Sequence, residues 1–410
     1  MRPGSLTLPV FGFLCLIGAC QPSDEKKGTP KTLDEHIVHL IPSEDTLLLD
    51  LEAFLENTKV IQLDNDPDAL TGNIDPVSIR QGSIVIGQRG RPLMYFKEEQ
   101  GDFIGEIGSL GNAPGEYQSI NNISLHPSGN ILAIQPRPFT NPILIYELGT
   151  DQIRMVKEIV NPVGWKHEGV LWTRNGQLLI RYISANEDRT QVVKQDLDRG
   201  MIDSLFRNER KGVFGSVNFD RFNDQVILKS KQVDTLYRVD ENDLSIETYM
   251  VLDRGFTNMD SLDFVSLQES DPGNLSDYMK AYPDYQILAQ FDSGFLLYNR
   301  MIDFKGSGEN MSVTVYKYWY FVNSDDGELR KVNRVRIRPF PELSPMTIHI
   351  DKVKFDSWGH LIIQLEVLEV EEALGNENNF KEIIQTYLFD QDSYEINSNS
   401  FLYVGDVKPF

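Results

Sequence analysis

Residues 77–107 read VSIRQGSIVIGQRGRPLMYFKEEQGDFIGEI, and this stretch decides the fold. An apolar run reaches a tight turn at Gly82, and a second run, Ser83–Ile86, follows it. The loop Gln88-Arg89-Gly90-Arg91 reverses the chain again, and Leu93–Phe96 turns through Gln100-Gly101 into Phe103–Ile107. Four short runs separated by turn chemistry make one antiparallel sheet. Ser83–Ile86 is apolar almost throughout instead of alternating, so both of its faces must be covered.

Working outward, the same scheme returns along the chain. First turns fall at Gly82, Gly129, Gly176, Asn223-Asp224, Ser293-Gly294 and Trp358-Gly359, at spacings of 47, 47, 48, 70 and 65 when measured on Gly82, Gly129, Gly176, Asp224, Gly294 and Gly359. Outer hairpins keep step: Ile143–Tyr146 into Ile153–Ile159, Val192–Lys194 into Met201–Phe206, and Thr235–Val239 into Leu244–Leu252. Tyr318–Val322 into Leu329–Val335 and Thr386–Phe389 into Tyr394–Leu402 complete the series. Six four-stranded units at this period predict an all-β, six-bladed β-propeller. Two sandwich domains are the competing architecture, but no linker divides the chain midway and the first three intervals are regular. One alternating run, Lys59–Leu63, is left over and is expected to close the ring on the blade containing 386–402. The long fourth interval predicts an insertion within Arg254–Asp284, with a short helix at Ser276–Tyr282 broken by Pro283.

The segment Gly108-Ser109-Leu110-Gly111-Asn112-Ala113-Pro114-Gly115-Glu116-Tyr117, together with Asp234-Thr235-Leu236-Tyr237-Arg238-Val239, resembles the hallmarks of a large family of six-bladed β-propeller lipoproteins from one Gram-negative phylum, of NHL- or TolB-like shape. The resemblance runs over residues 45–405 and implies a fold and an extracytoplasmic location. It implies no activity and no catalytic residues.

The N-terminus agrees with that location. Arg2, an apolar run from Leu6 to Ile17 and then Gly18-Ala19-Cys20 read as a signal peptide over 1–19, too short to span a bilayer as a helix. Ile17-Gly18-Ala19-Cys20 resembles a lipobox, which makes Cys20 the lipidated first residue of the mature chain. Residues 20–44 are expected to be a flexible tether and 45–410 one propeller domain, held at the outer membrane through its lipid and facing either the surface or the periplasm. The only other cysteine, Cys15, lies within the segment removed.

Of the 39 basic and 61 acidic residues, removal of 1–19 takes only Arg2, leaving 38 basic residues and a net charge of −23. That balance argues against nucleic acid, whose phosphates call for lysine and arginine clusters. Neither an HExxH spacing nor a GxSxG elbow occurs, so no catalytic residue, metal or cofactor is assigned. Gly108–Tyr117 carries spaced glycines but leads from strand to strand, unlike a dinucleotide fingerprint. It reads as a demanding connector, with Glu116 and Tyr117 as candidate ligand contacts. The acidic run Glu366–Glu372 reads as a solvated strand-to-loop edge.

The leading expectation is a monomeric binding or scaffold module that takes a glycan, peptide or partner protein at a propeller face. The alternative is a hydrolase or lyase working in the central channel. Phe256, Phe264, Tyr278, Tyr282 and Tyr285 of the insertion are candidates to line a mouth. Loops joining second and third strands carry Arg89, Arg91, Arg137, Lys229 and Lys231, which predicts a positive arc over blades one to four for an anionic glycan or an acidic loop.

Overall fold

A computed structural model describes residues 37–69, 71–184, 189–208, 219–222, 225–229, 235–253, 285–291, 293–305, 312–340, 344–374 and 399–408. Each repeat folds into its own antiparallel sheet. Blade one comprises Ile74–Arg80, Ser83–Gln88, Leu93–Lys97 and Phe103–Ile107, paired in that order. Blade two takes Ser119–Leu125 through Ile153–Ile159, and blade three Trp165–Trp172 through Gly200–Asn208. Blade four runs from Phe219–Phe222 to Ile246–Asp253, and blade five from Tyr285–Phe291 to Glu328–Ile337. Blade six starts with Val353–Phe355 and His360–Leu365.

Period-two alternation within a doubly covered sheet explains the core. In blade one, Ile84, Ile86, Met94 and Phe96 face blade six, whereas Val85, Leu93 and Tyr95 face blade two. All seven are fully buried. Repeated round the ring, this divides the core into six clusters, each between two neighbouring blades. The first turns and the third-to-fourth-strand turns open on one face, called here the turn face. Blade-to-blade connectors and second-to-third-strand loops open on the other, the connector face.

Closure follows the expected principle with a different cast. Leu55–Gln62 pairs antiparallel with Phe401–Val407, with Ile61 opposite Leu402 and Lys59 opposite Val404. Phe401–Val407 is the third strand of blade six, not the end of an outer hairpin, and the N-terminal strand supplies the fourth. Residues 386–398 of the hairpin expected there lie outside the described residues. Drawing the last strand from the N-terminal segment ties the two ends of the chain into one sheet, which closes the ring.

Among the described residues, 37–44, expected to be tether, are already paired. Ile37–His39 adds a parallel strand to Ile246–Asp253 of blade four, and Ile41–Asp50 adds one to Glu328–Ile337 of blade five. The segment 37–62 is thus a belt over the outer edges of three successive blades.

Glu366–Glu372 is not a strand-to-loop edge: Val367–Leu374 is an α-helix on the connector face. Glu369 accepts from the N–H of Glu366, which is half of a capping box, and Val367 and Val370 bury one side of the helix. Among the described residues no helix is long and apolar enough to cross a membrane.

Candidate functional site

Two groupings of polar and aromatic side chains lie at opposite ends of the ring. At the turn face, the first turn of blade six presents Trp358. Asp356 shapes this turn: one carboxylate oxygen accepts from the N–H groups of Trp358 and His360, at 2.9 and 3.0 Å. The other accepts from Ile79 N–H of blade one and pairs with His360 Nδ1, both at 2.9 Å. Trp358 then reaches across the ring. Its indole N–H donates to the carbonyl of Leu125 in blade two at 2.9 Å, and the ring packs in the cluster between blades two and three. The guanidinium carbons of Arg80 and Arg221, from blades one and four, lie 4.2 and 4.7 Å from the indole centroid. Arg221 has no exposed side chain; it pairs with Glu241 and donates to Trp172 O. One residue from blade six therefore touches blades one, two, three and four, and fills the axis at this end.

At the connector face, a directional chain of hydrogen bonds holds Arg137. Its Nε and Nη2 both donate to Asn121 Oδ1, at 3.1 and 2.6 Å. Asn121 Nδ2 donates to Gln135 Oε1 at 3.1 Å, and Gln135 Nε2 meets His167 Nδ1 at 3.0 Å. His167 Nε2 meets the carbonyl of Asn141 at 2.8 Å. A carbonyl only accepts, so Nε2 carries the proton, Nδ1 accepts from Gln135, and the imidazole is neutral. Burial pushes the His167 pKa down, against smaller opposing backbone hydrogen bonds, which agrees with this. Gln135 and His167 are wholly buried while Arg137 is exposed, so a buried relay fixes a surface guanidinium. Phe139 lies beneath it, 5.6 Å from its carbon to the ring centroid. Asn161 donates to the carbonyls of Phe139 and Asn141, tying the next connector to the same loop. That connector also exposes Val160 and, fully, Val163.

The other residues singled out by sequence are placed as follows. Arg89 is exposed at the tip of its loop. Arg91 donates to Asp68 O at 2.5 Å and lies 3.7 Å from Glu106, so its charge is partly spent. Lys229 ends a strand of blade four; Lys231, Phe256, Phe264, Tyr278 and Tyr282 lie outside the described residues, as does the expected helix.

Tyr285 is buried in the cluster between blades four and five, edge-on to Tyr320, and lines no mouth. Tyr117 is fully buried: its hydroxyl donates to Ile107 O at 2.5 Å and accepts from Leu93 N–H at 2.8 Å. Burial pushes its pKa well up, and it is a bracket between blades one and two. Both carboxylate oxygens of Glu116 are taken within the connector, by Ser109 and by the N–H of Ala113. Gly108, at φ +68°, explains that connector's composition, since a Cβ there would lie 2.6 Å from the Tyr146 hydroxyl.

Asn121, Gln135, His167 and Trp358 are not among the residues that the sequence singles out for a site. Only Trp358 left a signal, as a tryptophan in a turn whose counterparts carry small or polar residues.

A presumed exported protein of Bacteroides fragilis has the same architecture, with a TM-score of 0.56 and 16% identity over 91% of this chain and 99% of that one. A Bacteroides vulgatus member of the DUF4221 family matches at TM-score 0.42 and 11% identity, over 87% and 98% of the two chains. No curated protein matches. The DUF4934 family, a domain of unknown function, matches residues 37–329, and the chain belongs to it.

Proposed function

We propose that this protein is an extracytoplasmic binding module, held at the outer membrane by a lipid on Cys20, that recognises an anionic ligand at the connector face of its propeller. The observation that carries the reading is the relay behind Arg137. Surface arginines are usually mobile, and ordering one costs on the order of 1–2 kcal/mol of side-chain entropy. Here the side chain is ordered in advance, with Nη1 turned away from the relay and an aromatic ring beneath, an arrangement suited to a carboxylate or sulfate. Exposed Val160 and Val163 nearby offer apolar contact of the kind a sugar ring or peptide uses.

Binding is favoured over catalysis because both nitrogens of His167 are engaged, leaving no lone pair to take a substrate proton. The sequence of residues 1–20 and the exported character of the Bacteroides fragilis relative support the location. An acidic polysaccharide such as polygalacturonate is expected to be retained by the full-length chain and neutral dextran not, with retention falling as salt rises. Arg137→Ala is expected to weaken retention about tenfold, and Asn121→Ala, which leaves the arginine but frees it, by less. Equal retention of both polysaccharides, or no effect of Arg137→Ala, refutes the reading.

A further inference from the structure

On the turn face, between blades six and one, lies a cleft of ≈ 370 Å³ lined by Asn57, Lys59, Arg80, Gln81, Glu98, His360 and Asp406 among others. It is within the size range of small-molecule sites, and its charges are nearly all matched. Lys59 pairs with Glu98, whose other oxygen accepts from Gly82 N–H at 2.9 Å. His360 lies between Asp356 and Asp406, at 2.9 Å from its Nδ1 and 3.6 Å from its Nε2, and Asn57 donates to Asp406 at 2.9 Å.

Arg80 is the exception. Among the described residues its guanidinium has no carboxylate partner, and its Nε is buried without a hydrogen-bond acceptor. Trp358 backs it at 4.2 Å, which fixes the plane of the group without neutralising it. A buried donor left unmade is costly, and natural structures keep few of them. Of the three described non-glycine residues with positive φ, Asn57 at +50° and Gln81 at +45° both line this cleft. Gln81 and Gly82 are the two central residues of the first hairpin turn of blade one, so this wall of the cleft is tight turn backbone.

We propose that this cleft is a second ligand site, on the face opposite Arg137, and that it binds a small molecule through one oxyanion group seated on Arg80 with His360 beside it. The group completes the one unmatched charge, and Asn57 and Gln81 present backbone and amide atoms to the remainder of the molecule. The shared chemistry is a carboxylate, or a phosphate or sulfate, on a compact polar body.

The probes are glucuronate for a carboxylate source, inorganic phosphate for a phosphate source, and glucose as the neutral control, titrated calorimetrically into the full-length chain. The expected result is binding of at least one anion and not of glucose, about tenfold or more weaker in Arg80→Gln. The loss seen in Arg80→Gln, and the shift of His360 described next, are expected to be the same in an Arg137→Ala background, which separates this site from the one on the connector face. In the unaltered chain the bound anion should also raise the NMR titration midpoint of His360, whose charged neighbours are Asp356, Asp406 and Arg80. That readout stands if Arg80→Gln does not fold. Binding of glucose equal to glucuronate, binding indifferent to Arg80→Gln, or a His360 midpoint unmoved by saturating anion each overturns the proposal.

Discussion

Replacing Trp358 with alanine tests whether one side chain closes the turn end of the ring. Truncating a buried tryptophan costs about 3–5 kcal/mol in lost transfer energy and cavity. Trp358 also donates to Leu125 O, a bond worth about 1 kcal/mol. In addition, it faces the fully buried Arg221, where a desolvated cation–π contact adds about 2 kcal/mol. These terms overlap, since the truncation figure already includes contacts, and the expected cost is about 5 kcal/mol. That is a large part of the ~5–15 kcal/mol by which folded domains are stable. Trp358→Phe keeps a ring between the arginines and loses chiefly the N–H, so about 1–3 kcal/mol is expected, including the unsatisfied carbonyl. Urea unfolding followed by far-UV circular dichroism gives both values from the midpoint and slope. A cost below about 2 kcal/mol for Trp358→Ala, or equal costs for the two variants, refutes the reasoning, because an axial plug must depend on the ring.

Three other substitutions bear on closure, on the connector and on pH. Ile61→Pro takes a buried residue and an N–H out of the closing ladder, in which Leu63 N–H already bonds Ser400 O; a loss of about 3 kcal/mol is expected in the same unfolding assay. Tyr117→Phe strips a hydroxyl that serves both Ile107 and Leu93, and should cost about 2 kcal/mol while leaving polygalacturonate retention intact. For His360, desolvation pushes the pKa down, but the charge and hydrogen bond of Asp356, with Asp406, outweigh it and the net shift is upward. The stability from its charged form is then complete below about pH 6.5 and lost as the pH rises through the folded value. His360→Gln should flatten that alkaline decline; an unchanged slope counts against the pairing.

The hairpins were legible because doubly covered strands such as Ser83–Ile86 announce themselves locally and their turns carry glycine at φ near +75°, as at Gly82, Gly129 and Gly176. Lys59–Leu63 was legible by elimination, as an alternating run without a blade. The rest of the belt was not. Ile41–Asp50 carries Pro42 and an exposed, polar start, and its ladder depends on a partner strand nearly 290 residues away, which local periodicity cannot report. Glu366–Glu372 misled because acidic and apolar residues interleave there; two valines three apart, not alternation, decide the helix. Loop composition pointed to Arg137, yet what makes it distinctive comes from Asn121, Gln135 and His167 on two blades. Cross-blade hydrogen bonding has no signature in the order of residues. Tyr117 was misjudged for the converse reason: its hydroxyl, available on paper, is spent on the backbone.

The belt also determines how the propeller would bear a load. Tension entering the described chain at Ile37 meets, in order, the ladders laid along the rim. The first, Ile37–His39 on blade four, is only three residues long. Behind it, Ile41–Asp50 runs parallel to Glu328–Ile337 over a longer register, so more bonds share the tension. Only after both have parted does tension arrive at Leu55–Gln62, the strand on which the circle depends. With three bonded positions before seven, the short ladder is expected to part first, and the strand that closes the ring is loaded last.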